Sequence, residues 1–167
     1  GAVARVGGVL ARHGLAGALP VRLITNGSLM HRPSVRQGIA RIAELAGEVW
    51  FKLDRASAEE VESINGIPFD PTRTAASLAA CAALAPTWVQ TCWFALDGVA
   101  PGPASRAAYC RLLDPLAEGL AGVHLYGLAR PSLQPQAPRL SRLTAAELSD
   151  FATQITRETG LRVVVSP

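Results

Sequence analysis

Residues 21–28 read Val-Arg-Leu-Ile-Thr-Asn-Gly-Ser. Branched apolar residues run straight into Thr25-Asn26-Gly27-Ser28, the composition of a buried strand that stops in a polar loop. Asn26-Gly27 accepts the positive-φ backbone of a sharp turn, and the loop leaves Thr25, Asn26 and Ser28 free to hydrogen-bond. Two readings stand side by side. The tetrapeptide is a turn and nothing more, or it is a ligand contact at the carboxyl end of a parallel strand, where α/β proteins place their sites.

Working outward, the strand–helix order recurs. Strands are expected over 21–25, 49–54, 87–96, 123–128 and 161–165. A helix is expected over 1–13, weakened by Gly7-Gly8. The next begins at Arg32-Pro33-Ser34, carries the stripe Val35, Ile39, Ile42 and Ala46, and stops at Gly47. Ser57 and Glu60 have capping-box spacing and open a short helix through Ile64; Thr144 and Glu147 open another that ends at Gly160. An alanine-rich helix spans 70–85, and a further one spans 105–119, where Pro115 kinks or shortens it. Alternating strands and helices imply an α/β class with a parallel sheet and right-handed crossovers. The pattern alone leaves a closed barrel, a partial barrel and a doubly wound open sheet as alternatives.

With 167 residues the chain supports one domain with a real core. It is 49% hydrophobic and only 17% charged, which points to a sheet covered on both faces. The net charge of +3 comes from scattered arginines and a single lysine. No basic run reads as a nucleic-acid patch, so no DNA partner is expected. Apolar segments are too short or interrupted to cross a bilayer and no secretory signal opens the chain, so no membrane partner and a cytoplasmic location are expected. Cys81, Cys92 and Cys110 lie far apart in apolar segments without a CxxC; they read as small buried hydrophobes in a reducing compartment. His13, His31 and His124 are isolated and read as satisfied or exposed. No Ser/His/Asp set, Walker loop or dinucleotide fingerprint is present.

A parallel sheet gathers the carboxyl ends of its strands at one rim. Here those ends carry Thr25 to Ser28, Lys52 and Asp54 on one side of their strand, Gln90 deeper in its strand, and Tyr126 with Arg130. Lys52 is an ammonium aimed at an oxygen-rich ligand, or a structural ion pair with Asp54 or Glu48. Asp54 binds a ribose hydroxyl or a cation, or caps the turn before Ser57. Arg130, ahead of Pro131, suits a carboxylate or phosphate, or is merely solvated.

The ordered set resembles the radical S-adenosylmethionine (SAM) superfamily. Thr25-Asn26-Gly27-Ser28 is similar to the motif of that core's third strand. Phe51-Lys52-Leu53-Asp54, followed by Arg55-Ala56-Ser57 and Ile64-Asn65, resembles the fourth strand and the helix after it. Val89-Gln90-Thr91 resembles the fifth. His124-Leu125-Tyr126 to Arg130-Pro131 resembles the sixth in a subgroup that includes wyosine-type tRNA-modifying enzymes. The resemblance implies part of a partial (β/α)6 TIM-like barrel, with S-adenosylmethionine and a [4Fe–4S] cluster as cofactors. In the family the reduced cluster cleaves the sulfonium to a 5′-deoxyadenosyl radical that abstracts hydrogen from the substrate, an oxidoreductase chemistry. The resemblance places Thr25, Asn26, Gly27, Ser28, Lys52 and Asp54 on the SAM pocket, with Gln90, Tyr126 and Arg130 facing the same cavity. The substrate is unknown, an RNA or a small molecule.

The family's CxxxCxxC loop and its Gly-Gly-Glu motif precede the region matched, and Cys81, Cys92 and Cys110 cannot supply three close thiolates. The chain is therefore expected to be the carboxyl-terminal portion of a radical SAM core, a single domain over 1–167 without the first two strands. Its cluster ligands are expected upstream of residue 1, and the missing amino-terminal part of the same protein is an expected partner. The parent is expected to be an enzyme and this chain alone inactive. The alternative is a non-catalytic α/β module that binds a ligand or partner. Gly1 opens inside a helical pattern without a cap, consistent with a piece of a longer protein or with trimming of an initiator methionine. An unpaired strand at 21–25 is an apolar sheet edge, so the isolated chain is expected to be poorly soluble or to pair with a partner.

Overall fold

The computed structural model describes residues 1–129 and 137–166. Helix α1 (Ala2–Arg12) precedes strand β1 (Arg22–Thr25). Then follow α2 (Pro33–Glu44), β2 (Glu48–Lys52), α3 (Ala58–Asn65), α4 (Pro71–Ala82) and β3 (Thr87–Cys92). A two-residue strand β4 (Ala95–Leu96) leads to α5 (Pro103–Leu113) and β5 (Gly122–Tyr126). After residues 130–136 come β6 (Leu140–Ser141), α6 (Ala145–Thr159) and β7 (Val163–Ser166). Five strands form one parallel sheet in the order β1-β2-β3-β5-β7, with β1 at an edge; β4 and β6 form a separate antiparallel pair.

Burial alternates strictly along β2, where Val49 and Phe51 are buried and Glu48, Trp50 and Lys52 are half-buried. Val89, Thr91, Val123 and Leu125 continue the buried side and join Ile39 and Ile42 of α2, Leu78 and Cys81 of α4, Tyr109 and Leu113 of α5, and Leu148, Phe151 and Ile155 of α6. The helices therefore cover one face. Cover on both faces, expected from hydropathy, is not what forms. The apolar content sits in helices such as the alanine-rich α4, and the second sheet face carries Arg22, Glu48, Trp50, Lys52, Trp88, Gln90, His124 and Tyr126.

Thr144–Glu147 closes as a reciprocal box, with Glu147 Oε2 accepting from Thr144 N–H at 2.8 Å; Ser57 caps α3, but Glu60 takes the Ser57 hydroxyl instead of its backbone N–H. Ser57 Oγ accepts from Glu60 N–H at 3.3 Å, and Thr144 Oγ1 accepts from Glu147 N–H at 3.2 Å. Asp70 caps α4, accepting from Arg73 N–H at 3.1 Å. The helix expected over 105–119 is shorter: α5 ends at Leu113, and Asp114–Gly119 tightens into a 3-10 turn around Pro115, which has no N–H to continue the ladder.

The strand expected over 87–96 ends at Cys92. Trp93 turns fully into the core, and the Phe94 carbonyl is taken by the Arg55 guanidinium at 2.6 Å rather than by a neighbouring strand. The chain then starts the β4–β6 pair. The other strands differ from expectation only at their ends.

All three cysteines are free and buried, as their spacing suggested. His13 and His31 are exposed, and His124 is packed between tryptophans. No described helix is long and apolar enough to cross a membrane.

Candidate functional site

The Thr25–Ser28 loop is built by its own side chains. Gly27 N–H donates to Thr25 Oγ1 at 3.1 Å, and Ser28 N–H donates to Asn26 Oδ1 at 3.1 Å. Gly27 holds φ +70°, and a Cβ there would meet the Phe51 ring, with Cζ at 2.7 Å. The turn reading is therefore satisfied: two of the loop's acceptors are spent on its own backbone. The Asn26 amide nitrogen and the Ser28 hydroxyl remain beside a cavity of about 640 Å³.

That cavity brings together Asn26, Gly27, Ser28, Lys52 and Asp54 from the sheet rim with α3, the 66–70 loop and the first turns of α4. Thr25 stands just outside its lining. Of the alternatives for Lys52, the ion pair with Asp54 forms, and the ammonium also lies over the Tyr126 ring at 5.5 Å. Burial works against the ammonium, but the Asp54 carboxylate, by charge and hydrogen bond, and then Tyr126 outweigh it and hold Lys52 above its ordinary value. Burial likewise raises the Tyr126 phenol, with Lys52 opposing and Asp54 adding to the shift. Asp54 does not cap the helix that follows, since Ser57 does so; its Oδ1 takes Lys52 and also accepts from Cys92 N–H at 2.7 Å. One carboxylate oxygen thus pins the ends of β2 and β3 together, and the other retains acceptor capacity.

Gln90 is in register with Lys52 on one side and His124 on the other, and Tyr126 stands level with Cys92. Lys52, Gln90 and Tyr126 consequently share the helix-free face near the carboxyl rim. Arg130 lies outside the described residues.

Two further groups adjoin the rim. The first is a transverse stack on the helix-free face. Arg22 lies over Trp50 at 5.1 Å, Trp50 meets His124 at 4.6 Å between centroids, His124 stacks on Trp88 at 4.3 Å, and Arg162 lies over Trp88 at 5.6 Å. Glu48 ties it together, accepting from Arg22 Nε and Trp50 Nε1 at 2.8 Å each. Trp88 has room because Gly122, at φ +144°, lacks the Cβ that would come within 2.6 Å of its ring. This layer floors the face below Lys52, Gln90 and Tyr126, as side-chain layers fill the interior of closed barrels. The every-second-residue series Glu48, Trp50, Lys52 and Trp88, Gln90 was the available signal.

The second group is Arg55, 3% exposed. Its Nη1 donates to the Asp54 carbonyl at 2.8 Å, its Nη2 to the Phe94 carbonyl at 2.6 Å, and its guanidinium lies 4.2 Å from the Trp93 ring. Nothing local in the sequence distinguishes it from a surface arginine.

Among the described residues no cluster of three or more His, Cys, Asp or Glu is placed to hold a metal ion. Burial pushes the Cys81 and Cys92 thiols up to about 11 and the Cys110 thiol to about 12. Such thiols are poor sources of the thiolates an iron–sulfur cluster needs.

No family model and no curated protein sequence matches the chain. Solved structures do. A domain of pyruvate-formate lyase-activating enzyme from Bacteroides vulgatus superposes with a TM-score of 0.67 at 15% identity, covering 99% of this chain and 91% of that one. A radical SAM methyltransferase from Sphaerobacter thermophilus superposes with a TM-score of 0.55 at 18% identity, covering 87% of this chain and 39% of that one. At these identities the likeness is one of fold: this chain is a parallel sheet of βα units with the partial-barrel architecture of those two proteins.

Proposed function

We propose that the chain is the part of a radical SAM enzyme that holds S-adenosylmethionine, with the ligand seated at the carboxyl rim against Asn26, Gly27, Ser28, Lys52 and Asp54. Thr25 shapes the loop from behind, and Gln90 and Tyr126 stand beside Lys52 on the adjoining helix-free face, outside the cavity lining. Arg130 belongs to the same proposal from its place in the sequence alone. The observation that carries this reading is the Lys52–Asp54 pair, fixed between the ends of two strands on the wall of a nucleoside-sized cavity and beside a glycine turn that admits close approach of a ligand. Asp54 offers acceptors for ribose hydroxyls and a negative charge for a sulfonium. Lys52 offers a cation for a carboxylate, and Asn26 an amide for a ring edge.

SAM fits these residues; a [4Fe–4S] cluster does not. The three cysteines lie on α4, at the end of β3 and on α5, each buried as a thiol. In this reading the cluster's ligands come from another segment of the protein. The cluster with bound SAM supplies the radical chemistry, and this chain supplies binding and orientation. The wyosine-type subgroup and a cytoplasmic setting belong to the same reading, and the compound modified is an RNA or a small molecule.

Isothermal titration of the chain with S-adenosylmethionine tests it. Binding is expected, and it should weaken by about tenfold or more in Asp54→Asn and in Lys52→Met, the worth of one charge-assisted hydrogen bond. Heat of binding that is absent, or that both variants leave unchanged, would refute the assignment.

A further inference from the structure

The 640 Å³ cavity has two unlike walls. The strand side carries Asn26, Lys52 and Asp54. The helix side carries an apolar patch, Val61 and Ile64 of α3 with Ile67 and Phe69 of the loop that follows, bordered by Asn65, Thr74 and Ser77 and ending at Arg73 in the first turn of α4. Arg55 lies on the lining between them. We infer that the helix side is a second compartment, which binds a compound with an apolar body and an anionic group, such as an organic phosphate or carboxylate.

Charge on the lining favours an anion. Of the lining cations, Lys52 is paired with Asp54 and Arg55 with Glu60, which leaves Arg73, next to Asp70, as the cation open to an anion. Asp54 is occupied with Lys52, and Asp70 with the Arg73 backbone N–H. Among the described residues Arg73 has no side-chain ion-pair partner. Arg55 uses one N–H of Nη1 and one of Nη2 on carbonyls, and its Nε faces Glu60 Oε1 at 3.4 Å, which leaves one N–H on each terminal nitrogen. Glu60 is itself held by Ser57, whose hydroxyl donates to Oε2 at 2.8 Å.

Burial lowers the Arg55 guanidinium from its ordinary value, with Glu60 and Asp54 opposing. A desolvated cation of this kind gains more from an added anion than a solvated one does. Ile67 is 53% exposed and Val61 6%, so the apolar wall runs from the interior to solvent. A flat or branched apolar body would cover Ile67 and remove that surface from water.

This compartment is independent of the SAM reading and is tested without SAM. Phenyl phosphate serves as the probe, with inorganic phosphate and benzyl alcohol as its two halves, titrated calorimetrically into the chain. Phenyl phosphate is expected to bind about tenfold or more tightly than either half, because it engages both features at once. Arg73→Glu, at an exposed position, and Ile67→Ser should each weaken it several-fold, and Arg55→Met should abolish it. If Arg55→Met does not fold, Arg73→Glu and Ile67→Ser decide alone. Asp54→Asn, which tests the SAM reading, should leave phenyl phosphate binding in place. Equal affinity for a half-ligand, no detectable binding, or indifference to both Arg73→Glu and Ile67→Ser would overturn the inference.

Discussion

Gly27 lies directly against Phe51: the turn after β1 and the buried centre of β2 approach so closely that only a residue without a Cβ fits, and Gly27 also holds φ +70°. Gly27→Ala meets two separate costs, a left-handed backbone and a clash in a packed core. Together they should destabilise the chain by about 2–4 kcal/mol, read as a lower urea midpoint. Adding Phe51→Leu to that variant should recover part of the loss by removing the clash and leaving the backbone term. An unchanged midpoint in Gly27→Ala would show that the turn is not held as described.

The Lys52–Asp54 pair predicts an alkaline limb in the stability profile. Lys52 is held above its ordinary value, near 10.5, in the folded chain. Its contribution is therefore complete below that value and is lost as pH rises through the higher folded one. Thermal melts taken from pH 9 upward should hold steady to about 10.5 and decline above it, and Asp54→Asn should flatten that decline. A decline that is equally steep in the variant would assign it to other groups.

His124 predicts an acid limb of opposite sense. Burial lowers its imidazole, Glu48 opposes, and Arg22 and Arg162 add to the lowering. A group whose folded value lies below its unfolded value near 6.5 favours the folded chain above that pH and disfavours it as pH falls below. His124→Phe keeps a ring between Trp50 and Trp88 and should remove that portion of the acid loss. Melting curves at pH 7.5 and 5.5 for the two proteins provide the comparison.

Asp97 and Arg139 form a two-pronged clamp, with contacts of 2.9, 3.2 and 2.7 Å, and Asp97 N–H donates to the Arg139 carbonyl at 2.7 Å. Asp97 itself holds φ +52°. Asparagine tolerates that backbone, so Asp97→Asn removes charge without adding strain. Amide exchange over 138–142 should speed up in this variant, and wild type should approach it as salt rises. Salt-independent exchange in both would mean that the clamp carries no load.

Strand β1 is an edge on which Ile24 is 59% exposed, and Val6, Val9, Leu15 and Leu19 are exposed in the segment before it. The chain at high micromolar concentration should self-associate, and Ile24→Lys should shift it toward monomer in light scattering behind size exclusion. A monodisperse wild-type monomer would show that the edge is protected.

The architecture was legible because its signals are local. Ser57–Glu60, Thr144–Glu147, Asp70-Pro71 and Asn26-Gly27 each mark an element boundary through bonds made within four residues. The rim set was legible in part, since parity alone put Lys52 and Asp54 on one side. Long-range partners were not. Asp54 takes an amide 38 positions away, and Arg55 ends β3 by capturing the Phe94 carbonyl. The one-sided sheet was hidden for another reason: the hydrophobic fraction does not say which element holds it, and Trp50 and Trp88 stack on His124 and on arginines instead of under helices.

The central claim is that the turn at Asn26-Gly27-Ser28 and the Lys52–Asp54 pair enclose one S-adenosylmethionine. A crystal structure of the chain soaked with that compound is the direct measurement. The account predicts adenosine density between the 26–28 turn and Asp54, within hydrogen-bond distance of the Asp54 carboxylate. Density elsewhere on the molecule, with this rim occupied by water alone, would contradict it.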